Sequence, residues 1–72
     1  MSELVDARGL SCPQPVLITL EKLKLMDRGK VVVLVDTDTS RENVVRAAAT
    51  LGWQLQESKP EGREYRLTLT KE

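Results

Sequence analysis

The chain is 72 residues long, room for one domain and one core, and its eleven Lys and Arg balance eleven Asp and Glu. Such neutrality lacks the basic excess expected of a non-specific nucleic-acid binder. One cysteine and no histidine exclude an internal disulfide, a Cys/His zinc site, a Cys-His catalytic pair and a CxxC couple with its own resolving thiol.

Leu4-Val5-Asp6-Ala7 is the first strand candidate, ended by Gly9. From Pro13 to about Arg28 the residues Val16, Leu17, Leu20 and Leu23 recur at helical spacing, and Gly29 fits a C-cap. Val31 to Val35 is β-branched and apolar on both faces, which places it inside a sheet rather than at an edge. Asp36-Thr37-Asp38-Thr39-Ser40 is rich in capping residues and leads into a second helix, from about Arg41 to Leu51. Val44, Val45, Ala48 and Leu51 line its inner face, and Gly52 stops it. Trp53 to Ser58 reads as a strand, with Trp53 a core or rim aromatic, and Lys59-Pro60-Glu61-Gly62 as a turn. Tyr65, Leu67 and Leu69 then alternate with Arg66, Thr68 and Thr70 in a half-buried final strand.

The order β-α-β-α-β-β predicts an α/β fold: a two-layer sandwich with both helices on one face of a four-stranded mixed sheet. Residues 1–72 are read as a single domain, without repeats or linkers. The pattern leaves the register of strand pairing open. A free thiol favours a reducing, cytoplasmic compartment. No signal pattern opens the chain and no apolar run nears the roughly 20 residues of a membrane span, so no membrane partner is expected.

Cys12 lies in Arg8-Gly9-Leu10-Ser11-Cys12-Pro13-Gln14-Pro15, at the junction of the first strand and the first helix. A residue before proline is pushed toward extended backbone, as an N-cap requires, and Pro13 then falls at the first helical position. Ser11 is a rival cap, because Ser11-Cys12-Pro13-Gln14 has the form of a capping box. Both caps compete for the Gln14 N–H, since Pro15 has none. Either way the sulfur lies near the positive end of a helix dipole, which favours an anion by about 0.3–1 kcal/mol. Arg8 adds to that field if it folds back over the loop; Asp6 opposes it unless the two neutralise each other. Gly9 is placed to turn the chain through a positive φ, and Pro13 and Pro15 stiffen the first helical turn.

A modestly activated thiol without a base, metal or second thiol can receive a sulfur atom and hold it as a persulfide. The plainer alternative is a small buried hydrophobe closing the core. Cys-Pro-x-Pro at a helix start favours the chemical role.

Asp6-Ala7-Arg8-Gly9-Leu10-Ser11-Cys12-Pro13-Gln14-Pro15 resembles the Asp-x-Arg-Gly-Leu-x-Cys-Pro-x-Pro signature of the TusA/SirA/YedF family of small sulfur-carrier proteins. The likeness extends over the chain in length, element order and the Tyr65-Arg66-Leu67 strand. It implies a two-layer α/β sandwich, also likened to the C-terminal domain of translation initiation factor 3, and a persulfide-carrying Cys12. Arg8, Gly9, Ser11, Pro13, Gln14 and Pro15 are the implied supporting site, with no cofactor and no metal. The implied partners are a cysteine desulfurase or other sulfur donor and a DsrE-like or other thiol acceptor, with tRNA thiolation, molybdenum cofactor, selenium and sulfur metabolism as possible destinations. Ser40-Arg41-Glu42-Asn43-Val44 looks closer to the YedF branch, which is associated with selenium and often continues into a DsrE-like second domain, so a chain ending at Glu72 is expected to be a stand-alone member or an excised domain.

The alternative from another class is a regulatory or protein-interaction module whose Cys12 forms mixed disulfides or is structural. A third, direct RNA binding, is disfavoured by the neutral charge and by Trp53 and Tyr65 being the only aromatics. A monomer is expected. Arg41, Glu42 and Asn43 read as solvated first-turn residues.

Overall fold

Among the described residues six elements follow in the expected order: β1 (Ser2–Asp6), α1 (Gln14–Leu25), β2 (Gly29–Val35), α2 (Asp38–Thr50), β3 (Gln54–Glu61) and β4 (Glu64–Lys71). The computed structural model describes residues 2–10 and 14–72. One four-stranded sheet runs in the order β1-β2-β4-β3. β1 is parallel to β2, with Val5 opposite Val33, and β4 is antiparallel to both its neighbours. The strand after α2 therefore goes to the far edge, and the hairpin returns β4 into the gap beside β2.

β2 is interior, as its β-branched run requires. Val31, Val33 and Val35 are fully buried, whereas Val32 and Leu34, on the alternate face, are half-buried. Val5, Leu67 and Leu69 join the buried valines in one cluster, and Leu23 of α1 and Val44 and Ala48 of α2 enter the same cluster. Both helices thus cover one sheet face, and the other faces water.

α1 differs from its sequence reading in its stripe and its end. The buried residues are Pro15, Thr19 and Leu23, while Leu17 is 54% exposed. A buried threonine is tolerated because its hydroxyl donates to the Pro15 carbonyl one turn back, at 2.8 Å. The helix stops at Leu25, short of Arg28. Gly29, read as the cap, is instead the first residue of β2, paired with Lys71.

α2 starts earlier than expected because Thr37 takes the N-cap. Its extended backbone (φ −139°, ψ 153°) lets its hydroxyl accept the Ser40 N–H at 3.0 Å. At the other end Gly52 has φ 85°. Its N–H reaches the Ala49 carbonyl at 3.1 Å and the Trp53 N–H reaches that of Ala48 at 3.1 Å, a Schellman ending. The Lys71 ammonium donates to the Leu51 carbonyl at 3.0 Å, satisfying one more helix-end acceptor.

The segment Lys59-Pro60-Glu61 continues β3 rather than turning. Pro60 can sit in a strand here because β3 is an edge, where its missing N–H breaks no ladder. The turn is Gly62-Arg63, with Gly62 at φ 64° and Arg63 at negative φ. That is the sign pattern of a two-residue type II′ hairpin.

Candidate functional site

The C-terminal ends of the parallel strands β1 and β2, the N-termini of both helices and the start of β4 meet at one end of the domain. Of the described residues on either side of the cysteine, Gln14 opens α1 and Leu10 lies in the connection from β1 to α1. Leu10 packs partly against the core, Gln14 is exposed, and Pro15 is buried. Ser11, Cys12 and Pro13 lie outside the described residues, and so does the choice between the Ser11 and Cys12 caps.

Three consecutive backbone N–H groups leading toward the cysteine each have an acceptor. The Ala7 N–H donates to the Leu34 carbonyl at 2.8 Å. The Arg8 N–H donates to Asp6 Oδ1 at 3.2 Å, and the Gly9 N–H to Asp36 Oδ2 at 2.7 Å. Gly9 has φ 75°, the positive value expected of it. A Cβ there would meet nothing within 4 Å, so Gly9→Ala should cost about 1 kcal/mol through left-handed backbone strain alone. Urea melts measure this; an unchanged midpoint would show that the loop relaxes to another conformation at no cost.

Arg8 does not bring a free positive charge to the loop. Its Nε and Nη2 each donate at 2.8 Å to the two oxygens of Asp6, a two-pronged pairing, and its Nη1 donates to Glu64 Oε1 at 3.1 Å. One guanidinium thus answers two carboxylates, and the mutual neutralisation of Asp6 and Arg8 is the arrangement adopted. The hydrogen bonds from the Arg8 side chain, then from its backbone, hold the Asp6 carboxyl near about 2, below the usual 3.8. Those to Asp6 and Glu64 raise the Arg8 pKa further.

The sign of the pH dependence follows from the depressed Asp6 value. The unfolded carboxylate takes up its proton first, so the stabilisation is complete above about pH 4 and is lost as pH falls toward about 2. Over that window the urea midpoint of the wild type should fall more than that of Asp6→Asn. Parallel curves for the two proteins would remove Asp6 from the account of acid sensitivity.

A second cluster joins α2 to β4 at the same end. The Tyr65 hydroxyl donates to Asp38, and the Arg41 guanidinium lies 5.0 Å from the centre of the Tyr65 ring. Donation to the Asp38 carboxylate raises the Tyr65 pKa. Arg41 is therefore packed rather than simply solvated, whereas Glu42 is exposed. Among the described residues, no three His, Cys, Asp or Glu are grouped to hold a metal ion.

Asp36 and Glu64 are the site-end residues that the sequence pattern did not single out. Asp36 stood in a run of capping residues, but Thr37 caps the helix and Asp36 turns to Gly9. Glu64 meets Arg8 only because β4 returns beside β2, a register that no local pattern announces.

The family model for sulfurtransferase TusA matches residues 3–71. A sulfur carrier protein TusA of Allochromatium vinosum is 35% identical over 68 residues, covering 93% of this chain and 90% of the relative. That of Pseudomonas paraeruginosa is 32% identical over 63 residues, covering 86% and 80%. The crystal structure of a SirA-like protein from Desulfitobacterium hafniense superposes with a TM-score of 0.86 at 32% identity, covering 97% of this chain and 99% of that one. No described helix is long and apolar enough to cross a membrane.

Proposed function

The chain belongs to the sulfurtransferase TusA family, and from that premise we propose that it is a sulfur carrier acting through Cys12. The match over residues 3–71 to a family whose relatives are named sulfur carriers is the observation that carries this reading. Cys12 is the chain's one sulfur nucleophile, and the described flanks on both sides of it lie at the helix-start end of the domain.

The chemistry is an exchange at sulfur. The Cys12 thiolate attacks the terminal sulfur of a donor persulfide; a new S–S bond forms, the donor's S–S bond breaks, and the donor leaves as a thiolate with the electron pair. Onward transfer repeats the step with the Cys12 sulfur as leaving group. The sulfur changes carrier without net oxidation or reduction, so neither a metal nor a redox cofactor is required. A sulfur donor and a thiol acceptor on other proteins complete the relay, and a bacterial cysteine desulfurase is a suitable donor.

Incubation of the protein with a cysteine desulfurase and L-cysteine, followed by intact-mass measurement, tests the reading. One added sulfur on Cys12, removable by a thiol reductant, is expected. A chain that stays unmodified with the desulfurase and also with glutathione persulfide would overturn it.

A further inference from the structure

We propose that Asp36 is a positioning residue for sulfur transfer, its carboxylate fixing the loop that presents Cys12; the proposal rests on the sulfur-carrier reading. Asp36 follows directly on β2, the interior strand whose buried valines form the middle of the core. From there its Oδ2 accepts the Gly9 N–H at 2.7 Å, a contact between residues 27 apart in sequence. Gly9 stands three residues before Cys12. It also holds the positive φ through which the chain leaves β1.

The bond holds the Gly9 backbone itself, whereas the Arg8–Glu64 bridge reaches β4 only through the end of a long, exposed side chain. The bond from Ala7 to Leu34 is the last rung of the β1–β2 ladder and fixes the strand, not the loop. Arg8 turns its side chain and its N–H back to Asp6, within its own strand end, and its guanidinium on to Glu64. Gly9, free of a side chain, is tied to the end of β2 through the Asp36 carboxylate. A charged acceptor makes a backbone hydrogen bond shorter and stronger than a neutral one. Asp36 is also not occupied in capping α2, because Thr37 does that.

Sulfur transfer needs two sulfur atoms on two proteins brought in line, and a misplacement of about 1 Å can cost a hundredfold in rate. A tether three residues from the thiol acts on that alignment. It matters less to a small reagent, which needs no docked partner to reach a thiol.

The test uses the full chain in wild-type, Asp36→Ala, Asp36→Asn and Asp36→Glu forms. Persulfide loading from a cysteine desulfurase charged with L-cysteine is timed by mass spectrometry, and Cys12 alkylation by iodoacetamide is the control. Asp36→Ala should load about tenfold more slowly, with alkylation changed by less than about threefold. Asp36→Asn, which keeps an acceptor oxygen, should recover most of the loading rate. The Gly9 amide proton should be displaced in Asp36→Ala in the NMR spectrum and nearly restored in Asp36→Asn. If Asp36→Ala does not fold, Asp36→Glu decides: the longer side chain misplaces the oxygen and should slow loading severalfold. A wild type that loads, beside folded variants that load at the same rate, would overturn the positioning role and leave the carrier reading intact. A wild type that accepts no sulfur from either the desulfurase or glutathione persulfide would overturn both.

Discussion

Cys12→Ser should abolish sulfur loading completely while leaving the fold in place. An alcohol cannot form the S–S bond, so the loss is total rather than graded. The carrier reading requires a thiol open to a partner, and a substitution at such a position changes stability by no more than about 0.5 kcal/mol; serine is also a competent N-cap, so the change takes no capping group away. The alternative of a packing cysteine gives the opposite pair of results. A hydroxyl buried there without a partner would cost about 1–3 kcal/mol, and the wild type would accept no sulfur. Denaturant melts of both proteins, set beside mass spectra after desulfurase treatment, separate the two. A strongly destabilised mutant from an inert wild type would hand Cys12 to the core.

What the sequence revealed of this fold follows the range of the interactions involved. Val31 to Val35 announced an interior strand because an unbroken apolar, β-branched run suits a strand paired along both edges; β2 lies between β1 and β4, though its second face, Val32 and Leu34, is only half-buried. The alternation of Tyr65, Leu67 and Leu69 marked β4, whose Leu67 and Leu69 are fully buried. Counting apolar residues misplaced the inner face of α1, since a buried Thr19 can satisfy its hydroxyl within the helix and leave Leu17 outside. Pro60 suggested a turn because a proline breaks an interior strand, but β3 is an edge.

The candidate site divides in the same way. Arg8, Gly9, Gln14 and Pro15, the described members of the supporting site that the resemblance implies, are near neighbours in sequence, and they lie at one end of the domain. The Asp6–Arg8 pair is likewise a contact between residues two apart. Asp36 and Glu64 reach the loop across 27 and 56 residues respectively. Their roles depend on strand register, and register is set by tertiary packing rather than by any short motif.

Trp53→Ala should remove a large share of the domain's stability, and so separate what holds the domain together from what performs its chemistry. Trp53 is 2% exposed, the bulkiest of the fully buried side chains, and sits where α2 gives way to β3. Truncating a buried tryptophan to alanine costs about 3–5 kcal/mol. A domain of this length commands only roughly 4–11 kcal/mol in total, at about 0.05–0.15 kcal/mol per residue. Trp53 also lies beside Gly52 at the helix-end pole, away from Arg8 and Gly9, so its loss reaches the thiol only through the fold. Trp53→Phe keeps much of the apolar volume and should load sulfur at nearly the wild-type rate wherever it is folded. Far-ultraviolet circular dichroism through a urea titration gives the stabilities, since the tryptophan fluorescence disappears with the substitution. An alanine variant with a wild-type midpoint would show that the core does not close around Trp53. A folded phenylalanine variant that fails to load sulfur would place Trp53 within reach of the transfer step, contrary to the polarity of the domain.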